Sequence, residues 1–269
     1  MHQLFSFRRF GLLFRKHTAE HYKYYLMATL VLVGLLFLIL AFFAKTVSSA
    51  PLGIKEQEGI FILTLLFSGA AFTSTIFSDL GDGKKASGAL TLPASHVEKY
   101  LVNWVYSYLL FQLVFVGAFY LALLIVGFSQ EYKEGHVFEA MSLSNSFDFK
   151  SAKSDLTAAW ILYAFWHAIM LWGAITFKKW HFIKTGMAFI LFIILLAFLN
   201  YFILDTLLGS FGHIVTYFPF SNVLIEDGTD LGLNVRSGKE WRYFPFLVLL
   251  CMASFFWVIS YFKLKEKQI

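Results

Sequence analysis

Six stretches of the chain are long, continuously apolar and free of the residue-by-residue alternation that marks strands: 24–44, 59–78, 101–128, 157–177, 185–207 and 244–262. A helix rises 1.5 Å per residue, so about 20 apolar residues cross the ~30 Å hydrocarbon core of a bilayer. Each stretch therefore predicts a transmembrane helix. The pattern argues against a membrane β-barrel, whose strands are shorter and alternate. The expected fold is an all-α polytopic membrane protein with six spans. The first apolar run holds 21 residues, longer than the ~7–15 of a signal-peptide core, and is read as a retained helix.

The segments between the spans carry patterns of their own. In 1–23, Phe7, Phe10, Leu13, Phe14 and His17 share one side of a helical wheel, while Arg8, Arg9, Arg15, Lys16, Glu20 and Lys23 share the other. This predicts a basic amphipathic helix lying in the membrane interface, distinct from the six-span domain of 24–269. In the loop 79–100, Gly81, Gly83 and Gly88 interrupt any long helix. Ser95-His96-Val97-Glu98 is a capping box, with Pro93 just ahead of it. The third helix is thus expected to start near His96 and to protrude beyond the span. Residues 211–225 are apolar, contain Pro219 and are too short to span, which predicts a re-entrant or interfacial segment before the last span. The loop 129–156 is polar, acidic and Ser-rich and reads as a solvated surface. In the second span, Gly69/Thr73 and Ala71/Thr75 are small pairs that permit close helix packing.

Composition agrees with the pattern: 58% of the 269 residues are hydrophobic and 14% charged, against roughly 25% charged in soluble domains. Mean hydropathy is +0.66. The net charge of +5 is explained by topology rather than by nucleic-acid binding. With the N-terminus inside, segments 1–23, 79–100, 178–184 and 263–269 hold 14 Lys and Arg, while the outer segments, although longer, hold 8. This is the positive-inside bias, and it predicts cytoplasmic N- and C-termini with anionic inner-leaflet lipid as a partner. Tyr24, Tyr25, Trp104, Trp160, Trp180, Trp241 and Tyr261 fall near the span ends, where aromatic anchors belong. The single cysteine, Cys251, excludes an intramolecular disulfide framework.

Candidate chemistry is sparse. His17-Thr18-Ala19-Glu20-His21 matches the HxxEH pattern of inverted zinc proteases, but no third ligand is evident and its neighbours are basic, so no metal is expected. Asp82-Gly83-Lys84-Lys85 and Ser237-Gly238-Lys239-Glu240 lack the spacing and hydroxyl of a phosphate-binding loop. Polar groups within the spans are His167, Asn200, Asp205 and Gln112. Such groups are either interhelical glue or part of a pathway, and His167, Asn200 and Asp205 are the pathway candidates.

The run Lys84-Lys85-Ala86-Ser87-Gly88-Ala89-Leu90-Thr91-Leu92-Pro93-Ala94-Ser95-His96-Val97-Glu98-Lys99, with the interface helix, six spans and re-entrant segment, resembles the permease subunit of a type-2 ABC exporter, most like Bacteroidetes versions. Only four residues separate Gly88 from Pro93, fewer than in the usual pattern. The resemblance implies a transport role without catalysis on this chain. Lys84, Lys85, Gly88, Leu90 and Leu92 would dock on a separate ABC ATPase subunit, with Pro93, Ser95 and Glu98 joining that element to the third helix. Phe7, Arg8, Arg9, Phe10 and Phe14 would form the interface helix. ATP and Mg would reside on the partner, a second permease copy would complete a homo- or heterodimer, and the location would be the bacterial inner membrane. The alternative is a polytopic membrane enzyme using a metal, His167, Asp205 or the His17/His21 pair.

Overall fold

The computed structural model describes residues 5–46, 52–77, 94–129, 138–143, 155–177, 180–208, 213–214, 223–226, 233–235 and 244–267. Among them are six helices long and apolar enough to cross a membrane. They are α1 (Phe7–Thr46), α2 (Ile54–Thr75), α3 (His96–Ser129), α4 (Asp155–Thr176), α5 (His181–Leu208) and α6 (Phe244–Lys267). The chain is an all-α polytopic membrane protein in its spans.

The boundary expected at residue 23 is not marked by a break: α1 runs 40 residues without interruption. No Gly or Pro lies between Gly11 and Gly34 to interrupt it. Among its half-buried or buried positions, Phe14, His17, His21, Tyr25, Leu32, Leu36, Leu40 and Ala44 follow helical spacing along one stripe. That stripe packs on α3, so the aromatic side of the amphipathic segment meets protein. At 1.5 Å per residue α1 is about 60 Å long, twice the hydrocarbon core.

The core gathers Leu36 and Leu40 of α1, Phe61 and Leu65 of α2, Phe115 and Phe119 of α3, and Tyr163 of α4. Lipid offers no hydrophobic drive between helices, so close contact and hydrogen bonds must hold them. Gly69 supplies one close contact: a Cβ there would stand 2.4 Å from the Tyr163 ring. The small residues of α2 divide between two sides. Gly69 and Thr73 are buried, whereas Ala71 and Thr75 are exposed. Helix α4 is the central element, packed on α2, α5 and α6. Helix α5 is held mainly near its start, where Thr185 meets Gly173 and Phe189 meets Trp166, and no residue in its most apolar stretch is buried.

Two loops carry structure of their own. The described part of 211–225, read as a re-entrant or interfacial segment, is strand: β1 (His213–Ile214), β2 (Val223–Glu226) and β3 (Leu233–Val235) pair antiparallel in that order. Their register places His213 opposite Glu226 and Leu224 opposite Asn234. Lateral pairing satisfies the backbone groups between neighbouring strands. Within 129–156, read as a solvated surface, residues 138–143 turn Met141 into the core while Glu139 and Ser142 stay exposed. Gln57 is fully buried and draws them in: its Nε2 donates to the carbonyls of Leu52 (2.8 Å) and Glu139 (2.9 Å), and its Oε1 accepts from the Met141 amide (2.9 Å).

Candidate functional site

The site begins where α3 begins. Lys84, Lys85, Gly88, Leu90, Leu92 and Pro93 lie outside the described residues, and the description resumes at Ala94. Ser95 is the N-cap: its Oγ accepts from the Glu98 amide (3.2 Å), and Glu98 Oε2 accepts from the Ser95 amide (2.8 Å). This is the reciprocal pair that the spacing predicts.

Glu98 does more than close the cap. Its Oε1 accepts from the Ser6 amide (2.7 Å) and from Arg9 Nε (3.3 Å) and Nη2 (3.1 Å). One carboxylate thereby ties the start of α1 to the start of α3, across about 90 positions of sequence. The Glu98 side chain is fully buried, whereas that of Arg9 is 36% exposed. The group lies ahead of the apolar run 101–128. Burial by itself raises its pKa, but the Ser95 and Ser6 amides and Arg9 outweigh burial and hold it below the ordinary value. All four partner groups are donors, so the arrangement fits the ionised acid.

The other residues expected of the interface helix divide. Phe7 is 82% exposed and Arg8 is exposed, while Phe10 is half-buried. Phe14 packs on the ring of Tyr106 at 4.9 Å. His17 also lies on Tyr106, stacks with His21 and makes a 2.6 Å hydrogen bond with Tyr25. Thr18 and Tyr106 share a hydrogen bond between hydroxyls. Glu20 stands apart and pairs with Lys16 at 3.6 Å. Of the HxxEH residues, His17 therefore serves the α1–α3 contact, and the described residues hold no cluster of three or more His, Cys, Asp or Glu fit for a metal.

One turn further along, α3 widens into a π-helical segment, Val105–Leu110. Such turns admit one extra residue and often mark functional positions. Tyr106 faces α1, whereas Tyr108 stacks on Tyr163 of α4 and meets Trp257 of α6. Between them Ser107 reaches His167, whose Nε2 lies 2.9 Å from Ser107 Oγ. The Trp257 indole N–H donates to His167 Nδ1 at 3.1 Å. An indole can only donate, so Nδ1 is the unprotonated nitrogen and Nε2–H donates to Ser107. Ser107 in turn donates to the Asn103 carbonyl at 2.8 Å. His167 is fully buried, with both ring nitrogens engaged, and it joins α3, α4 and α6.

The three pathway candidates do not converge. Asn200 and Asp205 lie 11 and 16 residues beyond Phe189, the residue of α5 that packs on Trp166 beside His167. That is about 16 and 24 Å along the helix. Asn200 is half-buried and Asp205 exposed. Sequence reasoning missed the π segment, although Trp104, Tyr106 and Tyr108 at intervals of two place aromatics on opposite sides of a helix. It also missed Gln57 and the long-range partners of Glu98, for which no local signal exists. No family model, curated protein or solved structure matches this chain.

Proposed function

We propose that this membrane protein is the permease subunit of an ABC exporter, seated in a bacterial inner membrane with both termini cytoplasmic, and powered by a separate ATPase subunit that carries ATP and Mg. The observation that supports this reading best is the Glu98 junction. The basic, glycine-containing loop ends at a joint where Ser95, Glu98, Ser6 and Arg9 fasten α1 and α3 together. Force applied to that loop would reach two spans at once. The absence of a phosphate-binding loop motif from the sequence agrees with energy supplied from outside. The bare apolar surface of α5 suits contact with a second permease copy, homo- or heteromeric. A membrane enzyme built on His167 is the weaker proposal, because its ring is sealed from solvent and both nitrogens are already engaged.

The test is co-purification of the solubilised chain with an ATPase and stimulation of ATP hydrolysis. Leu90→Asp with Pro93→Ala is expected to leave the protein inserted while hydrolysis no longer drives export. Unchanged export by that variant, or surface labelling that places Lys84 outside the cell, would reject the assignment.

A further inference from the structure

A groove of about 480 Å³ runs between α1, α2 and α3. At one end the hydroxyls of Tyr24, Tyr25, Thr75 and Tyr106 line it. Tyr24 donates to Thr75 Oγ1 at 3.3 Å, which closes that end across α1 and α2. Beyond it the walls are apolar as far as Leu35 and Val114 except for Thr29 and Ser68, whose hydroxyls donate to the Tyr25 and Thr64 carbonyls of their own helices. Val31, Leu35 and Val114 are 65%, 50% and 41% exposed, so the groove opens sideways onto the membrane.

Three measures identify what fits. From Tyr24 to Leu35 the groove follows 11 residues of α1, about 16 Å, which matches the ~15 Å of one leaflet's hydrocarbon. The groove's lining along that length is mostly apolar, which suits a hydrocarbon chain. Finally, the polar end adjoins the part of α1 that carries Arg8, Arg15, Lys16 and Lys23 against one acid of that helix, Glu20, while Arg9 is already paired with Glu98. A headgroup emerging there would meet positive charge. We propose that this groove binds one acyl chain of an anionic phospholipid from the leaflet on the N-terminal side, with its headgroup at the Tyr24–Thr75 end. The inference rests on the membrane-spanning fold alone, whichever partner the chain serves.

Native mass spectrometry of the full chain in mild detergent tests it, with lipids removed stepwise. The unaltered protein is expected to retain one phospholipid. Ala71→Trp, which fills the groove from an exposed position, should lower that occupancy at least ten-fold, while Leu63→Trp on the exposed surface of α2 should not. Retention by Ala71→Trp equal to the unaltered chain would overturn the proposal. So would loss of self-association in that variant with its lipid count unchanged, since a second copy would then own the groove. A second measurement needs no variant. A phosphatidylglycerol carrying a photoreactive diazirine on its acyl chain should label peptides of α1, α2 and α3 around Ala28, Ala71 and Phe111 several-fold above peptides of α5. Equal or stronger labelling of α5, or equal labelling by the phosphatidylcholine analogue, would overturn it.

Discussion

Replacing Glu98 by Ala removes the acceptor of four donor groups at once. Two of these are main-chain amides, Ser6 and Ser95, and a buried amide left without a partner costs about 1–3 kcal/mol. The Arg9 pair adds little more, because its guanidinium is partly exposed and water can take over. The expected loss is therefore about 2–5 kcal/mol. Glu98→Gln keeps the shape but turns an NH₂ toward donors, and should cost about half as much. Arg9→Ala should cost least, about 1 kcal/mol. Thermal melting of the solubilised protein gives the ranking. Hydrogen exchange gives the location: amides of residues 6–14 and 95–99 should exchange faster in Glu98→Ala, while those of α6 should not. The depressed pKa of Glu98 adds a pH signature. Its contribution is complete above the ordinary value of 4.5 and fades as pH falls through the lower folded value. The stability gap between the unaltered chain and Glu98→Gln should thus hold from pH 8 to 5 and shrink in stronger acid. If Arg9→Ala proves as damaging as Glu98→Ala, or exchange near residue 6 does not change, the two-helix junction is wrong.

The remaining predictions concern the packing that surrounds this junction. Gly69→Ala drives a methyl into the fully buried Tyr163 ring and should cost about 1–3 kcal/mol; Tyr163→Leu in the same chain should recover part of that loss in thermal melts, and strictly additive costs would refute the contact. His167→Ala orphans the Trp257 indole and leaves a cavity, for about 2–4 kcal/mol. Trp257→Phe removes one donor and trims the ring that packs on Trp104 and Tyr108, for about 1–3 kcal/mol, and the double variant should cost less than the two losses added, which a double-mutant cycle measures.

The spans were legible because hydrocarbon imposes a simple rule: about 20 apolar residues in a helix, with basic flanks on one side. The Ser95 cap was legible because both of its partners lie within four residues. What lay beyond the sequence shares a different property. Arg9 and Ser6 meet Glu98 only after the chain has crossed lipid twice, and Gln57 captures residues 139 and 141 from another loop. Nothing local encodes those pairings. The continuity of α1 was concealed for another reason. A basic amphipathic stretch and an apolar span have opposite solvent preferences, and the buried stripe that crosses their boundary is visible only once α3 supplies a surface for it. The strands after α5 were hidden because a short apolar run with a proline is compatible with several backbones.

A rod that crosses lipid and continues beyond it without a joint behaves as a lever. With about 60 Å between its ends, a tilt of about 10° around the midpoint of α1 would swing Arg9 and Ala44 in opposite directions by about 5 Å each. Because Arg9 is fastened to Glu98 and Ala44 is buried at the far end, a nudge delivered on one side of the bilayer would emerge on the other, reversed in sense and undiminished, with no moving part in between.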